Sequence, residues 1–169
     1  VRDLARHQQK SVDFTMSGMD IELDRAILDE LQAPLIHMLR NAVDHGHEGN
    51  DARVAAGKSA TMKLVLRATR DRDRVLLVLE DDGRGMSPAR VKQKAVDKGL
   101  VDKARADAMS DQQALELVCL PGFSTAEQIT ETSGRGVGRD VLKSTLENLG
   151  GSLGLQSTLG KGTTITLEL

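Results

Sequence analysis

The sequence predicts an α+β domain of two layers, a mixed and mostly antiparallel sheet covered on one face by helices. Three observations carry this. Two strand-like runs, 61–69 (TMKLVLRAT) and 74–81 (RVLLVLED), stand one short charged turn apart, and a second pair, 152–158 (SLGLQST) and 162–169 (GTTITLEL), is joined by LGKG. Such closely spaced runs form antiparallel hairpins. A long amphipathic segment, 23–46, carries the 3.6-residue periodicity of a helix laid on a sheet. An antiparallel sheet needs cover on one face only, so a single layer of helices suffices.

Taken in order, the first residues read as the tail of a helix, and SVDFTM (11–16) alternates apolar Val12, Phe14 and Met16 as a strand does. The segment LDRAILDELQAPLIHMLRNAVDHG is helical on both sides of Pro34 and stops at Gly46. Within it Leu35, Leu39 and Ala42 share the expected core face, flanked by Met38 and Val43, while His37, Asn41 and Asp44 share the opposite one. SPARVKQKAVDKG (87–99) has a Ser cap, Pro in the first turn and Gly99 at its end, and DQQALELV (111–118) is also helical. PGFSTAEQITETSGRGVG (121–138) has few apolar residues and reads as a mobile loop; GRDVLKSTLENLGG then forms a last helix before the final hairpin.

At 169 residues with 39% hydrophobic and 28% charged content, one domain spanning 1–169 is expected, and no apolar run is long enough for a membrane span. The chain is expected to be soluble. A net charge of -2 and 1% aromatic content leave neither the field nor the stacking surfaces that nucleic acid requires. One cysteine, Cys119 in LELVCL, reads as a buried small hydrophobe and excludes an internal disulfide, which fits a reducing compartment. The start shows no signal peptide, and both ends read as cuts from a longer polypeptide.

Three short stretches carry chemistry. A solvated helix face usually bears Lys and Glu, whereas the one over 37–45 bears an imidazole and a carboxamide at i, i+4, then a carboxylate and His45. An Asn carbonyl is a hard ligand of the kind Mg²⁺ takes beside phosphates, and His37, one turn earlier, is placed to accept a proton or to position the attacking group. In DDGRGMSP (81–88), Asp81 ends a strand beside Gly83 and Gly85; alone the stretch reads equally as a turn or as a ligand corner. A carboxylate there accepts hydrogen bonds only, which suits the exocyclic amine of adenine and rejects the carbonyl of guanine. In SGRGVGRD (133–140), Gly134, Gly136 and Gly138 lead into a helix start, an arrangement that binds anions, although GxGxG by itself is weak. Neither a dinucleotide fingerprint nor a P-loop is present.

The order of these parts, with GTT on the terminal strand, resembles the Bergerat ATP-binding fold of gyrase, histidine kinases, the heat-shock ATPase chaperone and mismatch-repair ATPases. HMLRNAVDHGHE, DDGRGM, PGFSTAE and SGRGVGRDV further resemble the catalytic ATP-binding domain of CheA-type chemotaxis histidine kinases. By position, the resemblance implies that Asn41 holds Mg²⁺ on the phosphates of ATP, with His37 as general base, phosphate-positioning residue or second metal contact. It implies that Asp81 binds the adenine amine, that Gly83, Gly85 and Met86 border the base, and that the Thr163 hydroxyl completes the contact through water. Arg40, Asp44, His45, Arg90 and Lys94 fall near the phosphates, Arg90 and Lys94 reading equally as solvated charges. Residues 121–138 become a lid, with Phe123 as anchor, Ser124 and Thr125 near the phosphates, and Gly134, Arg135, Gly136, Val137 and Gly138 cradling them. Arg139 departs from the Met more usual there.

The implied reaction is transfer of the γ-phosphoryl group to a histidine on a separate phosphoacceptor domain and onward to response regulators. A coupling protein and chemoreceptors are the implied partners of the parent kinase, in the cytoplasm. The isolated domain is expected to be a monomer that does not phosphorylate itself. Rival readings are an ATPase using water, which His37 in place of Glu disfavours, and a non-catalytic interaction module of the same fold.

Overall fold

A computed structural model describes residues 1–119, 123 and 145–169. Five strands form one sheet: β1 (Val12–Ser17), β2 (Met62–Asp71), β3 (Arg74–Asp81), β4 (Ser152–Thr158) and β5 (Gly162–Glu168), in the order β1-β2-β3-β5-β4. Every pairing is antiparallel except β1 with β2, which run parallel. That exception follows from connectivity, because a parallel pair needs a long crossover and here it contains α2 (Arg25–Asn41) and α3 (Asn50–Ala55). The other described helices are α1 (Arg2–His7), α4 (Pro88–Asp97), α5 (Lys103–Ala108) and α6 (Asp111–Glu116), with helical residues also at 145–148. The sequence reading had no counterpart for α3 or α5.

Local chemistry sets the helix ends. Asp24 caps α2 by accepting the Ala26 N–H, Ser87 caps α4 ahead of Pro88, and Ser110 with Gln113 forms a reciprocal capping box on α6. The α2 helix runs unbroken through Pro34, whose ring is buried. Its deepest residues are Leu31, Pro34 and Met38, followed by Ala42 and Val43 just beyond, so the buried stripe is rotated from the predicted Leu35–Leu39–Ala42 line. Leu35 and Leu39 pack half-buried at the flank. Pro34 belongs to that rotated stripe, its apolar ring taking a core position between Leu31 and Met38.

Residues alternate across the sheet, and Leu64, Leu77, Leu79, Leu167 and Leu155 all fall on one face. One cluster packs that face against α2 and a second packs Leu155 and Ile165 against α4, α5, α6 and Phe123. Lys63, Arg67, Glu80 and Gln156 point from the opposite face to solvent. The register also carries Asp81, Thr163 and Ser157 onto the covered face as one row crossing three strands.

Candidate functional site

The site lies where the C-terminal end of α2 meets the end of β3. After Asn41 the helix widens into a π-helical turn, Ala42–Gly46, in which the His47 N–H reaches back five residues to the Ala42 carbonyl at 3.1 Å. Such turns are rare and change the direction in which side chains within and beyond them leave the helix. Asp44 is one result. Its carboxylate accepts from Gln8 Nε2 at 2.5 Å, while Lys10 holds the main-chain oxygens of Val43 and Asp44, so Asp44 is turned toward the N-terminal segment. The turn ends on His47, wholly buried, whose Nδ1 accepts the Gly49 N–H and whose Nε2 hydrogen goes to the Ser11 carbonyl. Burial, against the Ser11 hydrogen bond, holds this imidazole below its ordinary range.

From the π-helical turn the chain touches the DxGxG corner directly. The Gly46 carbonyl accepts the Arg84 N–H at 2.8 Å, and Arg84 Nη2 donates to the His47 carbonyl at 3.2 Å. A Cβ on Gly83 would stand 2.4 Å from Gly46 O and 2.7 Å from Asp81 Oδ1, so close packing requires glycine there. Gly85 has φ +66 and faces the Thr158 carbonyl, again with no room for a Cβ.

Asp81 stands at the centre of this corner. Burial pushes its carboxyl up to about 6, against the hydrogen bonds from the Gly83 and Thr163 main chain that favour the ionised form; Asp82 and Glu48 add to the rise. The neighbouring Asp82 turns away. Its Oδ1 accepts the Lys63 N–H at 2.9 Å and pairs with Arg53 Nη2 at 3.0 Å. The two adjacent carboxylates therefore have separate tasks, one structural and one facing the corner.

Opposite Asp81, Ser157 Oγ donates to the Gly162 carbonyl at 3.0 Å, accepts the Met86 N–H at 2.9 Å, and stands 3.0 Å from Thr163 Oγ1. A hydroxyl has one proton, so the proton between Ser157 and Thr163 belongs to Thr163. The Thr163 oxygen is left as an acceptor, in one row with Asp81.

On α2, His37 and Asn41 are half-buried one turn apart. Asn41 Nδ2 is buried and has no hydrogen-bond partner among the described residues. The unspent end is an NH₂ donor, which suits an anionic oxygen, while the carbonyl oxygen of the same carboxamide is the end a hydrated cation takes. Arg40, His45 and Arg90 are exposed. The Lys94 ammonium lies 5.4 Å from the centroid of the Phe123 ring, which is buried in the second core, and Lys98 donates to the Phe123 carbonyl at 3.0 Å. Ser124, Thr125, Gly134, Arg135, Gly136, Val137, Gly138 and Arg139 lie outside the described residues.

Sequence reasoning did not name Ser157, although counting back from the LGKG turn sets it opposite Thr163. It also passed over Glu48, Arg53 and Lys58, which lie behind the corner in a polar stretch with no pattern.

The corner is a half-buried carboxylate beside close-packed glycines at a strand end of an α+β scaffold. A sequence profile described as "Histidine kinase-, DNA gyrase B-, and HSP90-like ATPase" matches residues 28–169. The chain belongs to this family of ATP-binding domains, and within it to the catalytic domains of the CheA histidine-kinase type. It is 46% identical over 169 residues to the gliding motility regulatory protein of Myxococcus xanthus, covering 100% of this chain and 22% of that protein. To the chemotaxis protein CheA of Halobacterium salinarum it is 47% identical, covering 100% of this chain and 25% of that one. The chain thus spans about a quarter of the length of these curated relatives. Among solved structures, the histidine kinase domain of the Erythrobacter litoralis EL346 blue-light activated kinase shares the fold, with TM-score 0.56 and 13% identity over 99% of this chain and 59% of that one.

Proposed function

We propose that the chain binds Mg-ATP at the Asp81 corner and, as part of a longer kinase, transfers the γ-phosphoryl group to a histidine on a separate phosphoacceptor domain. The single observation that carries this is the half-buried Asp81 carboxylate beside Gly83, in one row with the acceptor oxygen of Thr163. Two acceptors and no donor favour an adenine amine over a guanine carbonyl.

In this reading Asp81 receives the amine, Gly83 and Gly85 allow the ring to lie against the main chain, and Met86 packs beside it. Asn41 holds Mg²⁺, which supplies neutralisation of phosphate charge when bound. His37 takes up a proton or steadies the phosphates from the preceding turn. The acceptor imidazole nitrogen forms a bond to the γ-phosphorus as the bridging P–O bond breaks and ADP leaves. Arg40, His45, Arg90, the lid glycines and the Ser124 and Thr125 hydroxyls complete the phosphate end.

Response regulators, a coupling protein and chemoreceptors are the partners this implies for the whole kinase, in the cytoplasm. No helix among the described residues is long and apolar enough to cross a membrane. The relatives differ in pathway, one being a gliding motility regulatory protein and another a chemotaxis protein, so in this reading the domain's chemistry serves both outputs.

The test combines calorimetric titration of Mg-ATP with radiolabel transfer. Wild type binds, Asp81→Asn loses affinity, the chain alone incorporates no label, and a supplied phosphoacceptor domain becomes labelled. Equal binding by both proteins, or none by either, removes Asp81 from the site. Phosphate release by the chain alone, abolished in His37→Ala, would establish the hydrolytic reading instead.

A further inference from the structure

The peptide unit between Asp82 and Gly83 is held from both sides. Its N–H donates to Asp81 Oδ1 at 2.9 Å. Its carbonyl accepts from two cations at once, Arg53 Nη1 at 3.0 Å and Lys58 Nζ at 2.9 Å. Both lone pairs of that oxygen are therefore taken by charged donors. Lys58 also grips the Gly83 carbonyl at 2.7 Å, and Glu48 gathers the two cations, pairing with Lys58 at 2.7 Å and Arg53 at 3.1 Å. Arg53 is anchored in turn by the Ser59 carbonyl and the Asp82 carboxylate. Burial pushes the Glu48 carboxyl up, but the donations from Lys58 and Arg53 outweigh it and hold the group below its ordinary value.

Two cations on one carbonyl do more than brace a turn. They fix the plane of the amide and draw electron density from its nitrogen, so the N–H at the other end becomes a stronger and better aimed donor. That N–H is a main-chain partner of the Asp81 carboxylate. We propose that Lys58 and Arg53, gathered by Glu48, are positioning residues for base recognition: by clamping the Asp82 carbonyl they aim and polarise the Gly83 N–H that orients Asp81. This rests on the reading of Asp81 as the acceptor for the adenine amine.

Arg53 is wholly buried and its removal threatens the fold, so Lys58, which is partly exposed, is the residue to vary. In the 169-residue chain, Lys58→Met and Lys58→Arg are compared with wild type and Asp81→Asn. The readouts are the Gly83 amide proton shift by NMR and the affinities for Mg-ATP and for inorganic tripolyphosphate. Lys58→Met is expected to move the Gly83 proton upfield and to weaken ATP about three- to tenfold, the equivalent of one net hydrogen bond. Tripolyphosphate binding should stay unchanged, and Lys58→Arg should restore both properties. An unmoved Gly83 proton overturns the clamp, and equal losses for ATP and tripolyphosphate overturn it in favour of direct phosphate contact by Lys58. If Asp81→Asn keeps full ATP affinity, the Asp81 reading fails, while the Gly83 shift still reports on the clamp.

Discussion

Asp81→Asn should stabilise the fold at neutral pH while weakening nucleotide binding. The Asp81 carboxyl titrates at about 6 in the folded chain against an ordinary 3.8, chiefly because it is buried. A raised carboxyl pKa means that the folded state disfavours the ionised form, so stability is lost as pH rises from about 4 through 6. At about 1.4 kcal/mol per pH unit, that gap amounts to an upper bound of about 3 kcal/mol at pH 7.5. Asparagine carries no charge at either pH and its oxygen can still accept the Gly83 N–H, but its NH₂ lacks an evident acceptor, which costs back about 1–2 kcal/mol. The absolute gain is thus small, and its pH dependence is the sharper quantity. Between pH 7.5 and pH 5 the stability difference between variant and wild type should shrink by about 1.4 kcal/mol, since at pH 5 the folded carboxyl is already mostly protonated. Urea unfolding of both proteins at the two pH values measures this, provided the slopes agree. A difference that is constant with pH would refute the claim that burial of this carboxylate shapes the site.

Three further outcomes follow from the same geometry. ATP affinity of the wild type should fall as pH drops through about 6, where Asp81 gains a proton and ceases to be a pure acceptor, whereas Asp81→Asn should lack this step in calorimetric titrations across pH. Gly85→Ala should lower the melting temperature by several degrees and weaken ATP binding, because the new Cβ would stand 2.1 Å from the Thr158 carbonyl at a positive φ of 66, and main chain cannot give way as a side chain can. Arg53→Met should destabilise the chain by about 3–5 kcal/mol in urea unfolding, since it leaves Glu48 and Asp82 short of a buried cation; a loss under about 1 kcal/mol would show that Lys58 and water replace it.

What was legible in the sequence, and what was not, divides along a physical line. The two hairpins, the capped helix 88–97 and the long helix through Pro34 were readable because each is fixed by signals within a few residues: a turn, a Ser cap, a stripe. The α3 and α5 helices, NDARVA and KARADA, have no apolar stripe long enough to read, and they exist because neighbours bury Arg53 and Ala106. The glycines at 83 and 85 were readable for a related reason, since close backbone approach and positive φ restrict the residue type itself. The supports behind them impose no such restriction. Arg53 and Lys58 reach the Asp82 carbonyl across 29 and 24 residues of chain, and any charged residue in a polar segment looks the same from sequence whether it meets water or a main-chain oxygen. Ser157 lies between these cases: its hydroxyl is ordinary, but hairpin register sets it against Thr163 once the turn is known. A ligand corner therefore shows itself through the residues whose backbone geometry is demanding, while the groups that aim its carboxylate stay hidden until the fold brings them to the same peptide.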